Sequence, residues 1–168
     1  MSVRFNFIAR DKSSFEVTDS PFRRSSETDL KRANQELQRQ YGVRIRRPYV
    51  YEYNCHGLTF VGKLGWFADV RRLLNAHSYR QTASLINSDV DDFAVDEDIE
   101  EGDVIVYHDD SPARVLHTGL VWALTKRGSK MFLTILSKWG QSGEYFHRHD
   151  KVVPEYGKSV EIWTDRGI

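Results

Sequence analysis

Hydrophobic and polar positions near the start of the chain predict one strand and one helix. Residues 3–7 alternate apolar and polar side chains, a period of two that favours a half-buried strand. Residues 11–25 are mostly polar and are predicted as a loop. Ser26, followed three residues later by an acidic side chain, resembles a capping box. Apolar residues then recur at helical spacing over residues 30–41, and Gly42 is a suitable end for that helix.

A second helix is predicted from Cys55 to about Asn75. Three glycines in this stretch, Gly57, Gly62 and Gly65, are unusual because each costs up to ~1 kcal/mol relative to alanine in a helix. Close packing of this helix on a sheet would explain them. The apolar stripe of the predicted helix comprises Phe60, Leu64, Phe67, Val70, Leu73 and Leu74.

The remaining apolar runs are short, and turn-forming residues separate them. We therefore predict an α+β fold in which helices pack on a mostly antiparallel sheet. The predicted strands after the second helix cover residues 104–107, 115–122, 131–136 and 160–163.

The second and third of these strands are predicted to form a hairpin that turns about Arg127 and Gly128. Paired in that way, His117 on the first strand lies roughly opposite Ser137 and Lys138 on the other. Polar groups at the far end of the second strand are therefore expected beside the histidine.

Length and charge indicate one soluble domain without a general attraction for polyanions. The chain has 168 residues, predicted as a single domain 1–168 with an extension at 1–48 and a core at 49–168. Lys plus Arg equals Asp plus Glu at 24 each, which argues against nucleic acid and membrane partners. The first residues lack the apolar core of a secretion signal, so the chain is expected to be cytoplasmic as synthesised. Export by a route without a cleavable signal stays open.

The lone cysteine, Cys55, is the first candidate catalytic residue. At the start of a helix, the Cys55 thiolate would be stabilised by unpaired backbone N–H groups and the helix dipole. The same N–H groups could receive a developing oxyanion. A cysteine nucleophile needs a base and a group that orients the base. His117 and Ser137, in that order along the chain, are the candidates for these two roles. The alternative is that Cys55 is a small buried hydrophobic residue.

These segments resemble a known family. The sequence Asn54-Cys55-His56-Gly57-Leu58 is similar to the nucleophile motif of the NlpC-type and CHAP-like cysteine peptidases and amidases. Residues 102–107 and 117–121 resemble the Gly-Asp-apolar run and the His-x-Gly strand of the same family. Residues 137–140, Ser-Lys-Trp-Gly, are similar to a papain-like segment. The resemblance implies a papain-like fold and hydrolysis of a peptide or amide bond through a Cys thioester, without a cofactor.

The resemblance also implies roles for individual residues. Cys55 is the expected nucleophile, His117 the base and Ser137 the orienting group, with His147 as the alternative third residue. Lys138 is expected not to help, because an ammonium group disfavours the imidazolium ion. The sequence departs from the family at three positions: His56 replaces a serine, Asn54 an acidic residue and Ser137 an asparagine. The residues expected to hold the oxyanion or the substrate are Tyr49, Tyr51, Tyr53, Asn54, His56 and Trp139.

Two further features are candidate binding sites, one for a protein partner and one for a metal. The acidic segment 89–103 is a solvated loop by default and a possible docking site for a basic protein partner. His147 and His149 form a His-x-His pair, but no complete zinc spacing accompanies them, so no metal is predicted.

Alternative functions stay open at this stage. The Cys-His site could transfer the acyl group to an amine or a lipid, or the domain could be a catalytically weak binding module of the same fold. A cell-wall peptide and a target of a delivered toxin are both compatible substrates.

Overall fold

The structure is a computed structural model that describes residues 2–167. The helices are α1 (Glu27–Tyr41), α2 (Cys55–Phe60) and α3 (Val70–Ala76), with a short 3-10 helix at Pro154–Tyr156. The strands are β1 (Val3–Ile8), β2 (Ser14–Thr18), β3 (Arg44–Pro48), β4 (Arg80–Leu85), β5 (Phe93–Ala94), β6 (Val104–His108), β7 (Val115–Arg127), β8 (Lys130–Trp139), β9 (Gly143–Arg148) and β10 (Ser159–Thr164).

One large sheet organises the fold. Its strands follow the order β3-β9-β8-β7-β6-β10-β4, β5 pairs with the first residues of β8, and every neighbouring pair is antiparallel. β1 and β2 form a separate hairpin. The predicted α+β class with a mostly antiparallel sheet is confirmed. No helix within residues 2–167 has the length and apolar character needed to cross a bilayer.

The two faces of the large sheet carry different side chains, because successive residues of a strand point to opposite sides. We call the side that α2 covers the helix face; there Leu58 packs on Leu136 and His56 contacts Thr118. We call the other side the opposite face; there Tyr156 of the 3-10 helix packs in the apolar cluster. Strand pairing assigns Val106, Thr118, Leu136, Lys138 and Glu144 to the helix face, and Tyr107, His117, Ile135, Ser137, Tyr145 and His147 to the opposite face.

The first strand and the first helix agree with their prediction, but the loop between them does not. Ser26 caps α1 by accepting a hydrogen bond from the N–H of Asp29 at 3.2 Å, and Gly42 ends the helix in the left-handed conformation at φ 64°. The segment predicted as a loop contains β2, whose Phe15 and Val17 are fully buried. These two residues alternate with polar ones, which is the period-two signal that the polar composition of the segment obscured.

The long helix predicted from Cys55 to Asn75 is wrong. α2 ends at Phe60 because the chain turns through two consecutive left-handed residues, Gly62 at φ 59° and Lys63 at φ 71°. Gly65 then passes so close to β2 that a Cβ atom there would lie 2.6 Å from Val17. The glycines therefore mark a turn and a close backbone approach, and the helix resumes only with α3.

The β7–β8 hairpin is confirmed, with a register that differs from the predicted one. Arg127 pairs with Lys130, so the turn lies one position later than predicted, and a bulge between Val121 and Ala123 shifts the pairing back by one residue. Ser137 consequently lies opposite Gly119 and two positions away from His117.

The acidic segment 89–103 is extensively paired with cations of the same chain. Arg166 contacts Asp98 at 3.0 Å, Glu100 at 2.7 Å and Asp103 at 2.9 Å. Part of the charge that was predicted to attract a basic partner is therefore already neutralised inside the molecule.

Candidate active site

Cys55 is the first residue of α2, and Asn54 fixes the turn before it. The Asn54 side-chain oxygen accepts from the N–H of Gly57 at 2.8 Å and from the N–H of Phe67 at 3.1 Å. Its amide nitrogen donates to the Phe67 carbonyl at 2.7 Å. One side chain thus caps α2 and ties it to the segment before α3. Because α2 has only six residues, its dipole stabilises a thiolate less than the long predicted helix would have done.

Cys55 is half-buried and lines a cavity of about 720 Å³. Residues from the segment before α1, from α1 itself, from the start of α2 and from the end of β8 meet there. Most of the wall is apolar, so a substrate group in this cavity would be largely removed from water. The lining comprises Phe22, Ser25, Asp29, Leu30, Ala33, Asn54, Cys55, His56, Trp66, Leu116, Lys138, Gly140, Gln141, Ser142 and Tyr156.

Burial raises the pKa of the Cys55 thiol. The backbone N–H groups of Thr118 and His56 and the positive charge of Lys138 act in the other direction and favour the thiolate. The sulfur atom therefore lies against the backbone of β7, beside the residue that directly follows His117.

His56 is the nearest imidazole to the sulfur. Its Nδ1 lies 3.5 Å from the Cys55 Sγ and 2.9 Å from the hydroxyl of Thr118. Burial lowers the pKa of His56 to about 4, so the ring is neutral near pH 7. The Thr59 hydroxyl continues this polar cluster, since it lies 3.1 Å from Thr118 and donates to the Cys55 carbonyl at 2.9 Å.

His117, the predicted base, does not contact Cys55 in this structure. Its side chain lies on the opposite face, is 0 % exposed and stacks on Tyr156 with the ring centroids 3.8 Å apart. Neither ring nitrogen has a hydrogen-bond partner within residues 2–167. Burial first, and then the nearby His147 and His56, hold the pKa of His117 well below its usual value, so the ring is neutral.

Ser137, the predicted orienting group, contacts His147 and not His117. The Ser137 hydroxyl lies 2.7 Å from His147 Nε2, and His147 Nδ1 lies 2.9 Å from the Arg148 carbonyl. A carbonyl only accepts, so Nδ1 carries the proton and Nε2 accepts from Ser137. Ser137 in turn accepts from the Trp139 indole N–H at 2.8 Å. The predicted third residue and its alternative therefore bind each other, because pairing of Ser137 with Tyr145 and of Ile135 with His147 puts their side chains on the same face of neighbouring strands.

The residues predicted to hold the oxyanion or substrate separate into two groups. Asn54 and His56 line the cavity. The three tyrosines do not: the Tyr53 hydroxyl donates to Glu144, the Tyr51 hydroxyl donates to the Phe22 carbonyl, and Tyr49 occupies a left-handed turn at φ 56°. Trp139 is buried, with 3 % of its surface exposed, and lines a separate apolar groove beside the cavity.

Two residues of the cavity wall were not predicted as functional. Tyr156 comes from a segment that carried no periodic pattern, and it is placed beside Cys55 only by the path of the chain between β9 and β10. Lys138 was predicted not to help catalysis, yet it is 0 % exposed and shares the cavity with Cys55. Its position on β8, one residue from Ser137, put it on the helix face, and alternation along the strand was the signal that could have shown this.

The second histidine of the His-x-His pair has a structural environment. His149 Nδ1 accepts from the N–H of Leu133 at 3.1 Å, and the His149 ring packs against Phe93. Within residues 2–167, His, Cys, Asp and Glu side chains form no group of three or more arranged to hold a metal ion.

No protein-family model, no curated protein and no solved structure matches this chain.

Proposed function

We propose that this protein is a thiol-dependent hydrolase of papain-like, NlpC-like architecture that cleaves a peptide or amide bond through a Cys55 thioester. The observation that carries the proposal is the position of the thiol. The residue Cys55 is half-buried, begins a helix that Asn54 caps firmly, and lines a cavity large enough for a side chain and the adjoining peptide units. A purely structural cysteine is more often sealed in apolar packing.

His117 is the proposed base. A buried imidazole with both nitrogens unpaired is costly, and such groups are commonly explained by a catalytic role. The Cys55 sulfur lies beside the N–H of Thr118, one residue from His117, although the imidazole leaves β7 on the opposite face of the sheet, so β7 must rearrange locally to bring the pair together. Catalytic hydrogen bonds often form only when substrate binds. The proposal requires the His117 ring to leave its stack on Tyr156, a residue that faces the same cavity.

The reaction would then follow the usual order for a cysteine nucleophile. His117 takes the thiol proton, and the thiolate attacks the carbonyl carbon to give a tetrahedral oxyanion, which the N–H groups at the start of α2 stabilise. Collapse of this intermediate breaks the C–N bond, and the leaving amine takes the proton from His117. Water, deprotonated by the same imidazole, then releases the acid from the thioester.

Activity of single variants tests this assignment. Cys55→Ala is expected to abolish hydrolysis of a panel of peptide amides and peptidoglycan peptides while retaining the wild-type circular dichroism spectrum. His117→Gln should lower kcat by roughly 10²-fold or more, the usual contribution of a general base. His56→Gln is the matched control, since it removes the imidazole nearest to the sulfur.

The outcomes separate the possibilities. Full activity of Cys55→Ala would end the proposal. Loss of activity in His56→Gln with retention in His117→Gln would keep the hydrolase and transfer the role of the base to His56. Trapping with hydroxylamine in place of water would show whether a thioester is formed at all.

A further inference from the structure

Lys138 combines deep burial with unused hydrogen-bonding capacity. It is 0 % exposed, and its Nζ lies 5.7 Å from the centre of the Tyr53 ring. A lysine ammonium has three N–H donors. Within residues 2–167 its one hydrogen-bond partner is the carbonyl of Gly140, although Lys138 also faces the cavity.

The nearest carboxylate does not neutralise Lys138. Glu144 lies directly opposite Lys138 on β9 and is also 0 % exposed. Its two oxygens already accept from Tyr53 and from Arg46, and they contact Lys63 at 2.8 Å. The Glu144 carboxylate therefore already binds two other cations, Arg46 and Lys63, and the Tyr53 phenol. The local charge around Lys138 stays positive.

The charges of Lys138 and Cys55 act on each other. The ammonium of Lys138 favours the Cys55 thiolate, and the thiolate favours the ammonium. The other ionisable groups near Lys138 are Glu144 from β9 and Glu52 and Tyr53 from the segment before α2, with His56, Tyr156 and Asp29 lining the same cavity.

We propose that Lys138 is the electrostatic partner of Cys55, and that its buried ammonium group stabilises the thiolate as the thiol loses its proton. The inference deepens the proposed function, because it assigns the source of the positive charge that the short helix α2 supplies only weakly. Its test does not depend on any substrate, so its failure can be distinguished from failure of the hydrolase proposal.

The experiment measures the rate of iodoacetamide alkylation against pH, followed as a single mass adduct because Cys55 is the only cysteine. Lys138→Met is expected to raise the apparent pKa of the thiol by about one unit and to slow alkylation at pH 7 by about tenfold. Lys138→Arg keeps the charge and should restore most of the wild-type rate. Lys130→Met is the matched control, since Lys130 is exposed on the same strand about 26 Å away.

An unchanged alkylation profile in Lys138→Met would overturn the proposal, as would an equal change in Lys130→Met. If Lys138→Met does not fold, the reciprocal measurement decides. Cys55→Asp places a carboxylate where the thiolate would form, so it must raise the pKa of the Lys138 ammonium in an NMR titration of the lysine side chains. An unaltered Lys138 titration in Cys55→Asp would refute the inference as well.

Discussion

Substitution of Lys138 by methionine is expected to stabilise the folded protein at pH 7. Burial lowers the pKa of Lys138 to about 8 from its ordinary 10.5, in spite of the opposing influence of Cys55, Glu144 and Glu52. The folded protein therefore carries a charged group in an environment that disfavours it. Methionine has a similar length, no charge and no polar hydrogen that needs a partner.

The size of this stabilisation follows from the pKa of Lys138 in the folded protein and its ordinary value. Each unit of difference corresponds to about 1.4 kcal/mol, so holding the ammonium charged in the folded protein at pH 7 costs roughly 3 kcal/mol. The folded pKa is the lower one, so the unfolded chain binds more protons between pH 8 and pH 10.5. Wild-type stability, measured relative to Lys138→Met, should therefore rise with pH across that window until the difference disappears.

The assay is equilibrium unfolding in urea at pH 7, 8, 9 and 10 for the wild type, Lys138→Met and Lys130→Met. We expect a free energy of unfolding for Lys138→Met about 2–3 kcal/mol above that of the wild type at pH 7, with a shrinking gap at higher pH. A Lys138→Met protein that is equally stable or less stable at pH 7, or a gap that does not change with pH, would refute the reasoning. A stabilised but less reactive variant is what a residue retained for function predicts.

Three further variants test the framework of the site. Glu144→Gln weakens hydrogen bonds to charged groups and should cost about 2 kcal/mol at pH 7. Burial raises the pKa of Glu144, but the bonds from Lys63, Tyr53 and Arg46 outweigh it and lower the net value, so this stabilisation is present above about pH 4.5 and is lost as the pH falls through the folded pKa. Urea unfolding at pH 7, 5 and 3 should show the gap closing. Gly57→Ala should destabilise strongly, because its Cβ atom would lie 2.0 Å from the Gly65 carbonyl oxygen. Gly62→Ala meets only open space and should cost roughly 1 kcal/mol through its left-handed backbone; equal melting temperatures for the two alanine variants would contradict this.

Local patterns in the sequence were sufficient to predict a helix or a hairpin wherever the interactions that determine it are close along the chain. The capped start of α1 and its end at Gly42 depend on residues within one turn of each other, and the β7–β8 hairpin depends on a tight turn. The prediction of the second helix was wrong because the contact that interrupts this helix is not local. Apolar spacing favoured a continuous helix, but the contact of Gly65 with β2 is separated by nearly fifty residues and leaves no local signal.

The sequence by itself determined that this chain forms an α+β domain with antiparallel strands, and that its single thiol begins a helix. Only the tertiary structure decided which side chains surround that thiol. Pairing of β8 with β9 places Ser137 beside His147 and not beside His117, while alternation along β8 turns Lys138 into the cavity. A change of one residue in strand register exchanges the two faces of a sheet, so chemistry built across several strands depends on pairing that the sequence pattern does not specify.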